Sequence, residues 1–548
     1  MMGERHHDAR FNGLISLLLF LAALGFYAST FNRGMMLADE GNLVHAAQRV
    51  AQGEVPYRDF YHFYAPGSFY IVAGLFKVFG ESFLLTRVMW VAVRAAIVLL
   101  IFLVGLRFMP RRYAILPALV VLFVPGPWFK SFYPFSALLS LWTVLRYVES
   151  RRPANMAAAS AAVAVSLLLR QDVGLETGLT LALAVLLSPL LEPRGAARWK
   201  RMFVHGVLGL AVVAAMLAPV ILYFHFQHAL GAMGQQLFGL APSYTLSKWT
   251  VAVRKFAAEG GYPFQKLFFG AAPIVLLTGA VAAVARMVRC ATSRDNLLFA
   301  LLVVAAGLTL LPAYLPMAPI RFFQCSPAIW ILAVVLLFQG SEKIMTVFTR
   351  TARAAWAARS LAAFLYLLAA GLCAAYTLNV LVARHEGLAT TDYSGTITAA
   401  MRNSKPFEFR GETVYLAPKK GRELTRLVRY IRTHTADGEP IIVFPNQALL
   451  YYLCDRPNKT RFIGTFTLKY PDKAEDQSIW KESFNEARRL SPRYIIVHRK
   501  FLDSATRHAF RKLTNQYYAE DAQFGELVVM VKTDGKAKEK TGKKRREP

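Results

Sequence analysis

Charge is what this 548-residue chain has least of. Asp, Glu, Lys and Arg make up 18% of it, where a soluble globular chain carries about a quarter. With 55% hydrophobic residues and a mean hydropathy of +0.35, neither a disordered chain nor an ordinary soluble enzyme fits. Acidic residues are scarcest, 34 against 64 Lys and Arg, for a formal net charge of +30. In a soluble chain that excess would point to nucleic acid. In a hydrophobic chain, basic loops and tails on a membrane protein explain it, and no nucleic-acid partner is expected. Cysteine is rare: Cys290, Cys325, Cys373 and Cys454 lie far apart, outside any C-x-x-C or Cys/His spacing. Neither a disulfide framework nor a zinc site is readable from them.

What the chain does have is apolar runs of membrane length. Crossing a hydrocarbon core of about 30 Å takes roughly 20 apolar residues. The first run, Gly13 to Phe31, follows the polar start MMGERHHDAR and lacks a good cleavage pattern, so it reads as an uncleaved anchor. Further runs near 84–107, 113–125, 134–149, 155–170, 174–191, 203–224, 267–286, 296–315, 322–338 and 361–382 bring the expectation to about eleven spans. One set of alternate short connections, from Arg107 to Arg359, holds seventeen Lys and Arg; the other holds Lys130, Arg170 and Arg321 alone. The basic set is therefore expected in the cytoplasm, with the N-terminus. Residues 32–83 and everything after 383 are then expected outside.

Beyond residue 383 the pattern changes. GETVYLAP, EPIIVFP, RYIIVHR and ELVVMVKT read as strands, while RELTRLVRYIRTH and the stretch around NEARRL have helical spacing. The fold class expected is a polytopic α-helical membrane protein, residues 1–383, with an extracytoplasmic α/β domain at 384–535. The tail at 536–548 is a basic run without apolar content and reads as disordered. It is a solvated end or, failing that, a contact for anionic lipid head groups.

The outside loop 32–83 carries the most chemistry. Asp39-Glu40 lies about eight residues past the first span, and NLVHAAQRVAQG after it has the spacing of a short helix along the membrane interface. PYRDFYHFYAPG then packs Arg58, Asp59, His62, Tyr64 and further aromatics into a turn. Interfacial aromatics alone make a membrane belt; with two acids, an Arg and a His they also suit a pocket. Arg170, with Asp172 and Glu176 close behind, and Arg321 stand at span ends on the same side, and such residues at membrane depth are costly enough to suggest function. Snorkelling to the interface is the plain alternative. His225, His228, Lys130 and Trp128 are lesser candidates there. No His/Asp/Glu cluster has metal-centre spacing, so no cofactor is expected, with a divalent cation left open.

The order of these features resembles the protein O-mannosyltransferases and the lipid A aminoarabinose transferases of the GT-C glycosyltransferase fold: first span, Asp-Glu, helix ending in Gly, Tyr/Pro-rich turn, FKVFGES, and a span ending in a basic loop. The likeness is strongest over residues 12–113, and NQALLYYLCDRPNKTRF resembles a segment of the bacterial members' outside domains. It implies a bacterial inner-membrane glycosyltransferase with a polyprenyl-phosphate-linked sugar as donor, membrane lipids around it, and a lipid, glycan or protein as acceptor. It makes Asp39 the candidate base, with Glu40 orienting it or touching the sugar, and helix capping the alternative role for Asp39. Many bacterial members carry Glu-Lys-Pro-Pro in the turn. The Lys position here is Tyr64, followed by Ala65-Pro66, leaving Arg58 or His62 to meet the donor phosphate. Arg170 and Arg321 are the other expected phosphate ligands. A transporter or flippase would show polar or broken spans and two-fold symmetry, neither evident here. A non-catalytic assembly protein has no need of the intact acidic pair.

Overall fold

The computed structural model describes residues 2–123, 128–239, 263–314, 326–348, 404–464, 474–499 and 517–533, with five isolated residues between 356 and 371. The helices of the membrane part are α1 (Met2–Ala28), α2 (Asp39–Ala51), α3 (Gly67–Phe79), α4 (Phe83–Gly105), α5 (Arg111–Phe123) and α6 (Phe132–Ser150). They continue as α7 (Pro153–Leu169), α8 (Gln171–Leu187), α9 (Ala196–Phe226), α10 (Pro263–Arg289), α11 (Arg294–Tyr314) and α12 (Pro327–Phe348). Ten of the eleven apolar runs are thus helices; the run at 361–382 falls outside the continuously described residues.

Among the described residues six helices are long and apolar enough to cross a membrane, and three shorter apolar ones accompany them. The chain is a multi-pass membrane protein. The shortfall from eleven has local causes. α5 is only 13 residues long, and α7 stops where Arg170 turns extended (φ −162°, ψ 121°) before α8 begins. Lipid-facing surface is plain on α1, with Leu14, Leu17, Leu18 and Leu21 exposed, and on α9, with Phe203, Leu210 and Phe226 exposed. Tyr27 Oη donates to Leu122 O (3.1 Å), tying the end of α1 to α5.

The C-terminal region holds a hairpin, β1 (Lys405–Phe409) with β2 (Glu412–Leu416), and the helices α13 (Pro418–His434), α14 (Leu449–Cys454) and α15 (Ala474–Leu490). Its four-stranded sheet has the order β3-β4-β6-β5: β3 (Ile441–Phe444), β4 (Tyr494–His498), β5 (Tyr518–Phe524) and β6 (Leu527–Lys532). β3 and β4 are parallel, in register Ile441 to Tyr494; the other pairs are antiparallel. α13 buries Leu424, Leu427 and Ile431, one stripe at helical spacing. Arg422, Arg426 and Arg429 lie on the opposite, exposed face, while Lys420 Nζ donates to Met35 O (3.1 Å).

Loop 32–83 does not simply lie on a membrane surface. α2, expected along the interface, is buried from Glu40 to Val50, because α14 covers it. Leu449 N donates to Leu37 O (3.0 Å), and a Cβ on Gly41 would stand 2.2 Å from Leu449 N, so only glycine permits the approach. His45 stacks on Tyr451 with centroids 4.7 Å apart, and Arg49 Nη1 donates to Thr460 O (2.7 Å). Tyr415 N donates to Asn32 O (2.9 Å), and Gly34 N to Tyr415 O (3.0 Å). The Glu412 carboxylate accepts from Phe83 N (2.9 Å) and Leu84 N (2.7 Å), meeting the orphan donors of the α4 N-terminus. The exposed apolar face belongs to α3, where Ile71, Val78 and Phe79 are uncovered.

Candidate functional site

Asp39 and Glu40 point apart, as neighbours on a helix must. Asp39 opens α2, where the helix dipole favours an anion. Its carboxylate lies 3.5 Å from Lys130 Nζ. Glu40 is 2% exposed and is held by both arms of the buried Arg87, with Nη2 2.7 Å from Oε2 and Nε on Oε1. Arg87 also donates to Phe31 O (3.1 Å) and Gly34 O (3.2 Å). The sequence leads one to expect Glu40 beside Asp39 or against a sugar; its hydrogen bonds instead tie α4 to the chain leaving α1.

Lys130 closes a 3-10 turn, Trp128–Lys130, fixed from the side by α4. The Arg94 guanidinium stacks 4.0 Å from the Trp128 ring centroid, and its Nε donates to Ser131 Oγ (3.1 Å). Sequence reasoning missed Arg87 and Arg94, although the signal was present: two arginines one heptad apart inside an apolar span put both charges on one face.

Arg170 lies over the rings of Tyr133 (4.0 Å) and Tyr64 (5.3 Å) and pairs with Asp172. Tyr64, at the position expected to be lysine, thus borders a cation supplied from elsewhere. Two cavities meet at these residues. The inner one, about 660 Å³ with its mouth, is a slot between α6, α8, α11 and α12. Its walls are mostly apolar, including Leu138, Leu141, Ala305 and Pro312; Lys130, Arg170 and Glu176 are its ionisable groups. The outer one, about 700 Å³ with its mouth, is lined by Asp39, Asn42, His62 and aromatic rings, and by Ile463 and Gly464 of the C-terminal region. Tyr64 and Tyr133 form the wall common to both.

The other expected residues divide. His62 is buried, accepts at Nδ1 from Tyr64 N (3.2 Å), and packs on Phe69. Burial pushes its imidazole down to about 4, so it is neutral near pH 7 and supplies no cation. Arg58 forks onto Asp59 with two 2.8 Å bonds and reaches Gln227 O (3.2 Å); neither residue lines the two cavities. Hydrogen bonds from Arg58 hold the Asp59 carboxyl below its ordinary range, and Asp59 in turn accepts from Val55 N (2.7 Å). The Arg58–Asp59 pair closes a turn. Arg321 lies outside the described residues. Among the described residues no group of three or more His, Cys, Asp or Glu gathers as a metal cluster would.

No protein-family model matches the chain, and no curated protein does. Solved structures do. The chain is similar to ArnT from Cupriavidus metallidurans bound to undecaprenyl phosphate: TM-score 0.55 and 14% identity, over 96% of this chain and 98% of that one. It is also similar to the archaeal oligosaccharyltransferase AglB from Archaeoglobus fulgidus, in complex with an inhibitory peptide and a dolichol-phosphate. There the TM-score is 0.53 and the identity 12%, over 95% of this chain and 74% of that one. The fold is GT-C. ArnT in the apo state aligns over the same shares with a TM-score of 0.53, so the likeness spans both the helical bundle and the C-terminal region.

Proposed function

We propose that the chain is a membrane glycosyltransferase that moves a sugar from a polyprenyl-phosphate carrier to an acceptor hydroxyl. The observation that carries this is one carboxylate, Asp39, facing the outer cavity 3.5 Å from a lysine that also lines the inner slot. The apolar slot suits the carrier's hydrocarbon chain. Lys130 and Arg170 there suit its phosphate, Arg170 through a planar fork and Lys130 as a point charge. The undecaprenyl phosphate in the ArnT structure and the dolichol-phosphate in the AglB structure are ligands of this chemical type.

In the transfer, Asp39 takes the proton of the acceptor hydroxyl as that oxygen bonds to the anomeric carbon from the face opposite the phosphate. The bond from the anomeric carbon to the phosphate oxygen breaks, and its electron pair leaves with the polyprenyl phosphate. Positive charge develops on the sugar and negative charge on the phosphate; Lys130 and Arg170 stand where the latter grows. The basic-loop asymmetry supports an extracytoplasmic position for this end of the bundle and for the C-terminal domain.

The test uses the purified chain in nanodiscs with undecaprenyl-phosphate-linked hexoses and pentoses, plus delipidated cell envelope as acceptor. Release of undecaprenyl phosphate from one of these donors is expected, with Asp39→Asn slower by about 100-fold or more. No release from any donor, or normal release by Asp39→Asn, would contradict the reading.

A further inference from the structure

The inner slot holds an ionisable group that the transfer just described does not use. Glu176 stands one turn beyond Asp172 on α8 and lines the slot with Lys130 and Arg170. It also lines a smaller cavity, about 250 Å³ with its mouth, between α6, α8 and α11.

Charge balance singles this residue out. The two cations of the described slot already have carboxylates: Asp39 lies 3.5 Å from Lys130 Nζ, and Asp172 pairs with Arg170. Asp172 also accepts from Val173 N (2.9 Å). Among the described residues no hydrogen bond or ion pair engages the Glu176 side chain. Three carboxylates against two cations leave one negative charge in excess before any phosphate enters, and mostly apolar walls make such an excess costly. The neighbouring hydroxyls do not relieve it. Thr177 donates to Gly174 O (3.1 Å), Thr180 to Glu176 O (3.0 Å) and Thr309 to Ala305 O (2.8 Å), each within its own helix. A hydroxyl has one proton to give. These three therefore offer the cavity lone pairs alone, which suit a protonated carboxyl and not a carboxylate.

We infer that Glu176 makes phosphate binding proton-linked: it takes one proton from water as the carrier phosphate enters the slot, holds it as a neutral acid beside Lys130 and Arg170, and returns it to water on release. The other two carboxyls are unsuited. Asp39 must be ionised to accept the proton of the acceptor hydroxyl, and Asp172 is held ionised by Arg170 and Val173 N. Tyr133 on α6 and Tyr64 on the loop are the remaining titratable groups of the slot; α11 and α12 line it with apolar residues and Thr309. α7 has no titratable side chain, and α9 approaches α8 at Val185, nine residues farther on. During transfer the carrier passes from a phosphodiester with one negative charge to a monoester that ionises twice. A neutral Glu176 spares that second charge a carboxylate neighbour. The inference rests on the reading of the slot as the carrier's phosphate site and adds its dependence on pH.

The test measures undecaprenyl phosphate binding to the full chain in nanodiscs from pH 6 to 9. Calorimetry in two buffers of different ionisation enthalpy counts the protons taken up. Glu176→Gln keeps the shape of the neutral acid, so at pH 6 it should bind like the parent. At pH 9 it should bind about tenfold or more tightly than the parent, which has lost the proton. At the alkaline end the parent should also take up more protons per lipid bound than the variant, approaching about one. The phosphate's own ionisation is common to both chains and cancels in the comparison. Should Glu176→Gln fail to fold, Glu176→Ala removes the same charge and should show the same change of profile. Parallel pH profiles with equal proton counts would overturn the inference. So would weaker binding by the Gln variant at every pH, the mark of a carboxylate that stays ionised. Failure of the parent to bind undecaprenyl phosphate at any pH would instead strike the function proposed for the slot, and the inference with it.

Discussion

The inner slot and the outer cavity share Tyr64 and Tyr133 yet are built from opposite materials. Spans supply most of the slot, whose walls are mainly Leu, Ala and Pro, with Lys130, Arg170 and Glu176 as its charged side chains. The loop after α1 supplies most of the outer cavity, with Ile463 and Gly464 from the C-terminal region and Phe132, Tyr133 and Leu169 from the spans; its walls are aromatic rings, a few aliphatic side chains and uncharged polar groups around one carboxylate. An amphipathic anion belongs in the first and a hydroxyl-rich ring in the second. On the function proposed above, the difference would let one chain hold a lipid-soluble substrate against a water-soluble one, with Tyr64 and Tyr133 as the wall between them. Asp39 and Glu40 repeat the contrast at the scale of two residues, one facing the cavity and the other locked to Arg87.

Substitutions that act on one side only would break or sharpen this contrast. The largest effect is expected at the acidic pair. Ala38, not Asp39, is the N-cap of α2, and no side chain caps it, so Asp39→Asn keeps shape and should cost about 100-fold or more in transfer while thermal unfolding stays near the parent value. Glu40→Gln should do the reverse, because it leaves Arg87 buried without its counter-charge, a loss of about 3–5 kcal/mol. Reduced folded yield and a lower unfolding temperature in detergent would register it. If Asp39→Asn unfolds and Glu40→Gln is merely slow, the two roles are exchanged.

Next come the slot cations. Arg170→Ala and Lys130→Ala should each weaken undecaprenyl phosphate binding about tenfold or more. Arg170→Lys should recover only part, since an ammonium cannot stack on Tyr133 as the guanidinium does. Equal loss of glycoside binding would mean that the two cavities are not separate sites.

A smaller effect depends on pH. The folded His62 imidazole stays neutral down to about pH 4, whereas the unfolded one protonates near 6.5. Its contribution to stability is therefore whole above pH 6.5 and lost as pH falls to 4, by about 3 kcal/mol. His45, pushed down to about 3 by burial, adds to the same acid lability where α2 meets Tyr451. Thermal unfolding measured from pH 8 to 4 should show the decline, and His62→Gln should make it shallower. The smallest effect belongs to Arg58→Gln, whose exposed fork to Asp59 lies outside both cavities. Transfer should change by less than about twofold, as surface pairs contribute little.

Periodicity made most of the fold legible. Plain Ala/Leu/Val runs gave α1 and α4 to α12, the helical spacing of NLVHAAQRVAQG gave α2, and β-branched runs gave β2, β3, β4 and β6. β1 and β5 escaped because their strands are half exposed: KPFEF buries only Phe407 and Phe409, and YAEDAQF is largely polar. Near the site, Arg170 was readable from its placement at a span end, Asp39 from its place just past the first span, and Tyr64 from the turn position that is Lys in the family it resembles. Lys130 ranked low on sequence because a single lysine in a short connection carries no pattern. Its importance comes from the Arg94–Trp128 stack, which brings residue 130 to residue 39. Arg58 and His62 drew attention by residue type, yet hydrogen bonding takes up one and burial discharges the other. Asn42 and Gly464 gave no signal, since an amide and a glycine 422 positions apart meet only through the tertiary fold.

The two-compartment site is tested most directly by an experimental structure of the full chain with undecaprenyl phosphate bound. The phosphate should lie within hydrogen-bond reach of Lys130 and Arg170, with the hydrocarbon chain running between α6, α8, α11 and α12 and the Asp39 carboxylate facing an open outer cavity. A phosphate bound at Arg58, or a lipid chain entering the cavity beside Asn42 and Gly464, would contradict it.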